Sequence, residues 1–122
     1  MITSSLQKEY FDDIILGRKV YELRVNDEKR RQIQVDDVWK FDNLGDDKEH
    51  IYTKVYEIKV YSSFEEAIGD TDISLLLPSL GKNINSFEKA VNVYHSFPGY
   101  FENSKKYGVV RFKLQRIYYI DI

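Results

Sequence analysis

Apolar residues near the start of the chain recur at helical spacing: Leu6, Tyr10, Phe11, Ile14 and Ile15. Ser4 or Ser5 can cap such a helix, and Gly17 suits the left-handed turn just past its end. From Lys19 to Val25 the period changes to two, predicting a strand with Val20, Glu22 and Arg24 on one face and Tyr21, Leu23 and Val25 on the other. Glu22 and Arg24 then lie side by side within ion-pair reach. Lys19 is out of phase and joins them only if the strand bends or bulges at its start. Asn26 to Gln34 is polar and highly charged, the pattern of a turn or short helix. Val38 to Phe41 reads as a second strand, followed by turn formers from Asp42 to Asp47. Ile51 to Tyr61 is a long strand pattern whose alternation is roughened at Lys54 and Glu57.

Ser63 followed by Glu66 has the form of a capping box, opening a helix through Ile68. Asp72 to Leu77 predicts a short helical turn stopped at Pro78. A second capping-box pattern, Asn85 with Glu88, opens a helix carrying Phe87, Ala90, Val91, Tyr94 and Phe97, which Pro98-Gly99 ends. Val109 to Ile117 is the cleanest strand: Val110, Phe112 and Leu114 face one way, Arg111, Lys113 and Gln115 the other. Helix, strands, helices and a final strand together predict an α+β fold, a short barrel flanked by helices. No repeat, linker or low-complexity tract divides the chain.

At 122 residues the chain has enough length for a core of its own and not for two, so residues 1–122 are expected to form a single domain. Ten Tyr and seven Phe are many for this length; rings fill cores and line pockets equally well. With no cysteine, neither a disulfide framework nor a thiolate metal site is available. The N-terminal residues lack the apolar run of a signal peptide and no segment approaches a membrane span, so a soluble, cytoplasmic protein is expected. The net charge of −2 argues against a chain-wide grip on a phosphate backbone. The charge is uneven, however: Arg18 to Arg31 holds six basic residues against three acidic ones. Any nucleic acid would meet a local pocket.

The chemistry-bearing residues cluster in Gly17 to Arg24, which has the form Gly-x-Lys-x-x-Glu-x-Arg. The bland reading is a surface salt-bridge cluster at a strand edge, worth little. The functional reading is a pocket in which Lys19 and Arg24 meet an anionic or carbonyl-bearing ligand, while Glu22 orients them or accepts a proton. His50 and His95 lack metal-ligand spacing, the Asp pairs lack a calcium-loop pattern, and there is no phosphate-cradling glycine loop, so no metal and no cofactor is expected.

The octet resembles the signature of the ASCH (activating signal cointegrator homology) family, whose domains have a PUA-like β-barrel. The leader Tyr10 to Leu16 is similar to the family's first helix, Tyr61-Ser62-Ser63-Phe64-Glu65-Glu66 to its strand-to-helix junction, and Tyr107-Gly108-Val109-Val110 to its last strand. The resemblance implies a PUA-like small β-barrel with flanking helices, a cleft between barrel and helices, and an RNA or nucleotide/nucleoside ligand. It also implies that Lys19, Glu22 and Arg24 sit at that cleft. Candidate ligand contacts are Lys19, Tyr21, Glu22, Arg24, Tyr61, Tyr94 and Tyr107, with Trp39 and Tyr100 as further stacking candidates. For any single ring, core packing is the better expectation. Arg111 and Lys113 either extend the basic surface or keep the outer face of the last strand soluble.

One branch of the family deacetylates N4-acetylcytidine with a lysine, a threonine three residues later, and a further glutamate. Lys19 matches, but Glu22 stands where the threonine would be, and Asp70 to Asn85 contains no glutamate. That route is therefore not expected. Metal-free hydrolysis of RNA or of a modified nucleoside, with Lys19 and Glu22 as catalytic groups, is the alternative to simple binding. A protein-interaction module is the third reading.

Overall fold

The structure, a computed structural model, describes residues 2–81 and 84–118. Among them five strands form one curled sheet in the order β1-β3-β4-β5-β2: β1 Ile2–Leu6, β2 Tyr21–Val25, β3 Val38–Asn43, β4 Asp46–Tyr61 and β5 Val109–Ile117. Six α-helices accompany it: α1 Lys8–Ile15, α2 Glu28–Arg31, α3 Phe64–Gly69, α4 Ile73–Leu76, α5 Ser86–Ser96 and α6 Tyr100–Tyr107. A 3-10 turn spans Pro78–Leu80. The arrangement is α+β, a half-barrel with flanking helices.

Strand alternation sends apolar residues to both faces of the sheet, and each face has its own core. Val110, Phe112 and Leu114 point into one core with Trp39, Phe41 and Ile51, closed by Phe11 and Ile14 of α1. Val109 points the other way, joining Leu23 and Val25 of β2 beneath α3, α4 and α5. The irregularity at Lys54 and Glu57 is a bulge: Val55 pairs with Leu114 and Glu57 with Lys113, so Tyr56 is the extra residue.

Two sequence expectations change. Ser4 and Ser5 do not cap α1; they belong to β1, which runs parallel to β3 with Ile2 opposite Trp39. The Ser4 hydroxyl accepts the Trp39 indole N–H at 3.0 Å instead. Second, Asn85 holds the position before α5 without making the side-chain cap bond that its spacing from Glu88 predicts. Pro98-Gly99 ends α5 as expected, and a helix the sequence pattern did not mark follows at once: Gly99 opens α6 at φ +78°, and Gly108 closes it at φ +76°. The Ser63 cap also forms as expected, its hydroxyl accepting the Glu66 N–H at 3.1 Å. The loop Ser79 to Asn83 lies partly outside the described residues.

Candidate functional site

The segment between α1 and β2 is tied down from three sides. Gly17 takes the left-handed turn at φ +72°. The Asp13 carbonyl then accepts the N–H groups of Arg18 and Lys19, and Arg18 closes an ion pair of 2.9 Å onto the buried Asp13 carboxylate. Val20 donates to the Leu75 carbonyl and accepts from the Leu114 N–H. Because β2 begins only at Tyr21, Lys19 is free of strand alternation and turns inward, to 3% exposure. The condition for its joining the other two charges is met by an irregular lead-in rather than a bulge.

Lys19, Glu22 and Arg24 do converge. One carboxylate oxygen of Glu22 accepts from Arg24 Nη2 at 2.9 Å and Nε at 3.1 Å; the other lies 3.5 Å from Lys19 Nζ. Lys19 also donates to the Tyr21 carbonyl at 2.6 Å and to the Leu76 carbonyl at 2.8 Å, the latter at the last residue of α4. The three ammonium donors are thus all engaged within the protein. Arg24 reaches across to the Ser5 carbonyl at 3.4 Å, so its guanidinium bridges the two edge strands, β2 and β1, at the seam where the half-barrel does not close.

Burial pushes the Lys19 amine below its ordinary pKa against the opposing pull of Glu22. Burial alone would raise Glu22, but the Arg24 and Lys19 charges outweigh it and hold the carboxyl below its usual range. Arg24 is raised: its burial is outweighed by Glu22. The buried Tyr94 phenol is pushed well above its ordinary value by burial, with Glu22 next in effect.

A cavity of about 210 Å³ opens on this group, lined by Tyr10, Tyr94, Phe97 and Tyr100 on the helical side and by Ser5, Leu6 and Gln7 on the strand side. The rings support one another: Phe97 meets Tyr10, Tyr94 and Tyr100 edge-on at centroid distances of 6.3, 5.6 and 5.4 Å. The exposed Leu44, at the tip of the β3–β4 hairpin, forms part of the rim. Its N–H donates to the Leu6 carbonyl, and the buried Asn43 side chain accepts the Gly45 N–H, so the tip is held in place. About seven waters would fill such a volume at liquid density. It suits a small, flat ligand or one unit of a longer one.

Of the ligand contacts expected from sequence, Lys19, Glu22, Arg24 and Tyr94 line this cavity, as does Tyr100. Tyr21 and Tyr61 lie elsewhere: both rings lie against the Arg111 guanidinium, at 4.7 and 5.6 Å, and the Tyr61 hydroxyl donates to Asp70 at 2.6 Å. Trp39 is fully buried, stacked on Phe41 at 4.7 Å, and so is core. Tyr107 faces a separate groove beside α2. Arg111 neither extends a basic surface nor solubilises a face: it is 7% exposed, pairs with Glu57 at 3.0 Å, and bonds the Asp70 carbonyl and Thr71 hydroxyl, tying β5 to the segment after α3. Lys113 is exposed. His95 is half-buried with Nε2 2.9 Å from Glu65, a partner that sequence spacing could not reveal. Tyr10, Phe97 and Leu44 were not legible as cleft residues. Tyr10 and Phe97 carry the signal of helix apolar faces, and nothing local marks Leu44.

The ASCH domain profile matches residues 5–117. The crystal structure of the hypothetical protein PH0355 is similar at 40% identity and a TM-score of 0.79, over 94% of this chain and 97% of that one. The solution structure of PF0455 from Pyrococcus furiosus is similar at 33% identity and a TM-score of 0.73, over 97% and 98%. A point mutant of ZmASCH from Zymomonas mobilis shares the fold at 16% identity and a TM-score of 0.57, over 98% of this chain and 74% of that one. No curated protein matches the chain. With the profile spanning nearly the whole chain and two solved structures alike along their full length, this chain belongs to the ASCH domain family, with its PUA-like fold.

Proposed function

We propose that this protein recognises RNA or a nucleotide by taking one base into the cleft at the barrel seam. The observation that carries the reading is the cleft's imbalance: the buried Lys19 and the largely buried Arg24 share one carboxylate, Glu22, at the floor of an aromatic-walled cavity. Excess positive charge in a low-dielectric site favours an anionic or carbonyl-rich ligand, and tyrosine walls favour a flat ring. The family is one of RNA-binding-like domains, which agrees with that chemistry.

The roles divide by geometry. Lys19, with its donors engaged, holds Glu22 and the end of α4 in place. Glu22 fixes the guanidinium plane of Arg24. Arg24 Nη1 has no carboxylate or carbonyl partner among the described residues, and the guanidinium also meets the Tyr100 side chain, so an entering ligand is met by Arg24 and Tyr100 together. Tyr100 and Tyr10 flank the entering ring.

A second reading, metal-free hydrolysis in the same cleft, is favoured by one observation, the burial that lowers the Lys19 pKa. Against it stands Glu22, a poor base while its pKa is depressed and both oxygens face cations.

The test is calorimetric titration of nucleosides, N4-acetylcytidine included, nucleoside monophosphates and a short single-stranded RNA, with mass-spectrometric analysis of each mixture afterwards. Binding by wild type that weakens about tenfold or more in Arg24→Lys, which keeps the charge but loses the planar fork, supports recognition. No binding of any of these probes overturns it. Products formed by wild type and lost in an identically purified Lys19→Ala variant would move the conclusion to the hydrolase.

A further inference from the structure

Beside the seam, α2 and α6 carry basic side chains that the cleft does not use. Lys29, Arg30, Arg31, Lys105 and Lys106 make no ion pair among the described residues, whereas most other cations of the fold do. Arg30 is the most telling. Its guanidinium lies 5.7 Å from the Trp39 ring, with Nε and Nη1 sealed from solvent and without a partner, in a side chain that is only half-buried. Burial lowers its pKa, and the neighbouring Arg24 charge lowers it further. Like charges held together in this way are relieved by an anion.

Next along the same edge is Tyr107. Arg31 lies 5.7 Å from its ring and Lys106 5.0 Å, while Arg31 Nε is held by the Asn26 carbonyl at 2.9 Å. The ring faces an open groove of about 590 Å³ floored by α2. Tyr100 of the cleft and Tyr107 of the groove are seven residues apart on one face of α6, about 10 Å along its axis. That is about three stacked nucleotide steps of 3.4 Å.

We infer that a single-stranded RNA leaving the cleft runs across α2, its phosphate at Arg30, to a second stacking position on Tyr107 between Arg31 and Lys106. This rests on the cleft being the first base site. Asp27 and Glu28 also line the groove: Asp27 is engaged as the cap of α2, accepting the Arg30 N–H at 3.0 Å, while the exposed Glu28 is offset there by Lys29 and Arg31 on the same wall.

The experiment is fluorescence anisotropy with an end-labelled single-stranded RNA of about eight nucleotides, competed with a mononucleotide, across about 50–200 mM salt. Wild type is compared with Arg31→Gln/Lys106→Gln, Tyr107→Ala and Arg24→Lys, each checked for native circular dichroism. Removing two phosphate contacts flattens the salt slope by about 1.4, so the double variant's affinity should change about sevenfold less than wild type's over that range. Tyr107→Ala should weaken the octamer by about five- to 150-fold while sparing the mononucleotide. Octamer binding weakened by Arg24→Lys but equal in affinity and salt slope for the double variant overturns the track and leaves the cleft standing. Equal wild-type affinity for octamer and mononucleotide does the same. No binding of either probe overturns both.

Discussion

Replacing Glu22 by glutamine removes the negative charge shared by the buried Lys19 and the largely buried Arg24 while keeping nearly the same shape. The carboxylate accepts two charge-assisted bonds from Arg24 and faces Lys19 at 3.5 Å, and all three side chains are largely withdrawn from water. An amide in its place presents one acceptor and two donors to groups that are themselves only donors. Breaking a buried pair from one side typically costs about 3–5 kcal/mol, because the partner charge stays buried without compensation. Here two partners are left, which places the expected loss in the upper half of that range. A chain of 122 residues has roughly 6–18 kcal/mol in total, so the variant should fold but with a clear deficit. Urea unfolding followed by the fluorescence of Trp39, the single and fully buried tryptophan, reads the loss directly. At a slope of about 2 kcal/mol per molar urea, the midpoint should fall by about 2 M with the slope unchanged. The difference should also depend on pH. The folded pKa of Glu22 lies below its unfolded value of 4.5, so its contribution is complete above 4.5 and is lost as pH falls through the folded pKa. Wild type and variant should therefore converge under acid conditions. A midpoint within about 0.3 M of wild type at neutral pH, or a difference independent of pH down to about 3, would refute the reasoning.

The other predictions concern Lys19 and the glycine turns. The folded pKa of Lys19 is depressed from 10.5, so wild type gains stability from this group as pH rises towards that value. Lys19→Met should lose this gain, and a wild-type-minus-variant stability difference that does not grow between neutral pH and about 10 would count against the buried-amine account. Gly108 combines φ +76° and ψ −166°, a region open almost only to glycine, with a would-be Cβ 2.8 Å from the Tyr61 carbonyl oxygen. Gly17, at φ +72°, has open space around it. Thermal unfolding should show Gly17→Ala costing about 1–2 kcal/mol and Gly108→Ala clearly more. Equal costs would mean that the Tyr61 carbonyl contact does not matter.

Much of this protein was determined locally by its sequence. The period-two run from Tyr21 to Val25 sets Glu22 beside Arg24 wherever that strand pairs, and Val110, Phe112 and Leu114 share a face for the same reason. Ser63 finds the Glu66 N–H within one turn, and Gly17 takes the turn that ends α1. The octet together with these elements was enough to bring the ASCH resemblance into view. Long-range pairing decided the rest. Ile2–Leu6 is a strand because β3 offers it a parallel partner more than thirty residues away, an option no local cap signal contains. Lys19 turns inward because Leu75 and Leu114, from distant segments, hold Val20. Arg111 is buried because α3 ends over it, although its alternation is that of a residue facing water. The same holds for the rings: Tyr10, Phe97 and Tyr100 wall the cleft because three helices meet there, while Trp39 and Tyr61 are drawn into core and junction. Periodicity states which residues share a face. What covers that face, or leaves it open as a cleft, depends on the packing of segments remote in the chain, and only the tertiary structure decides it.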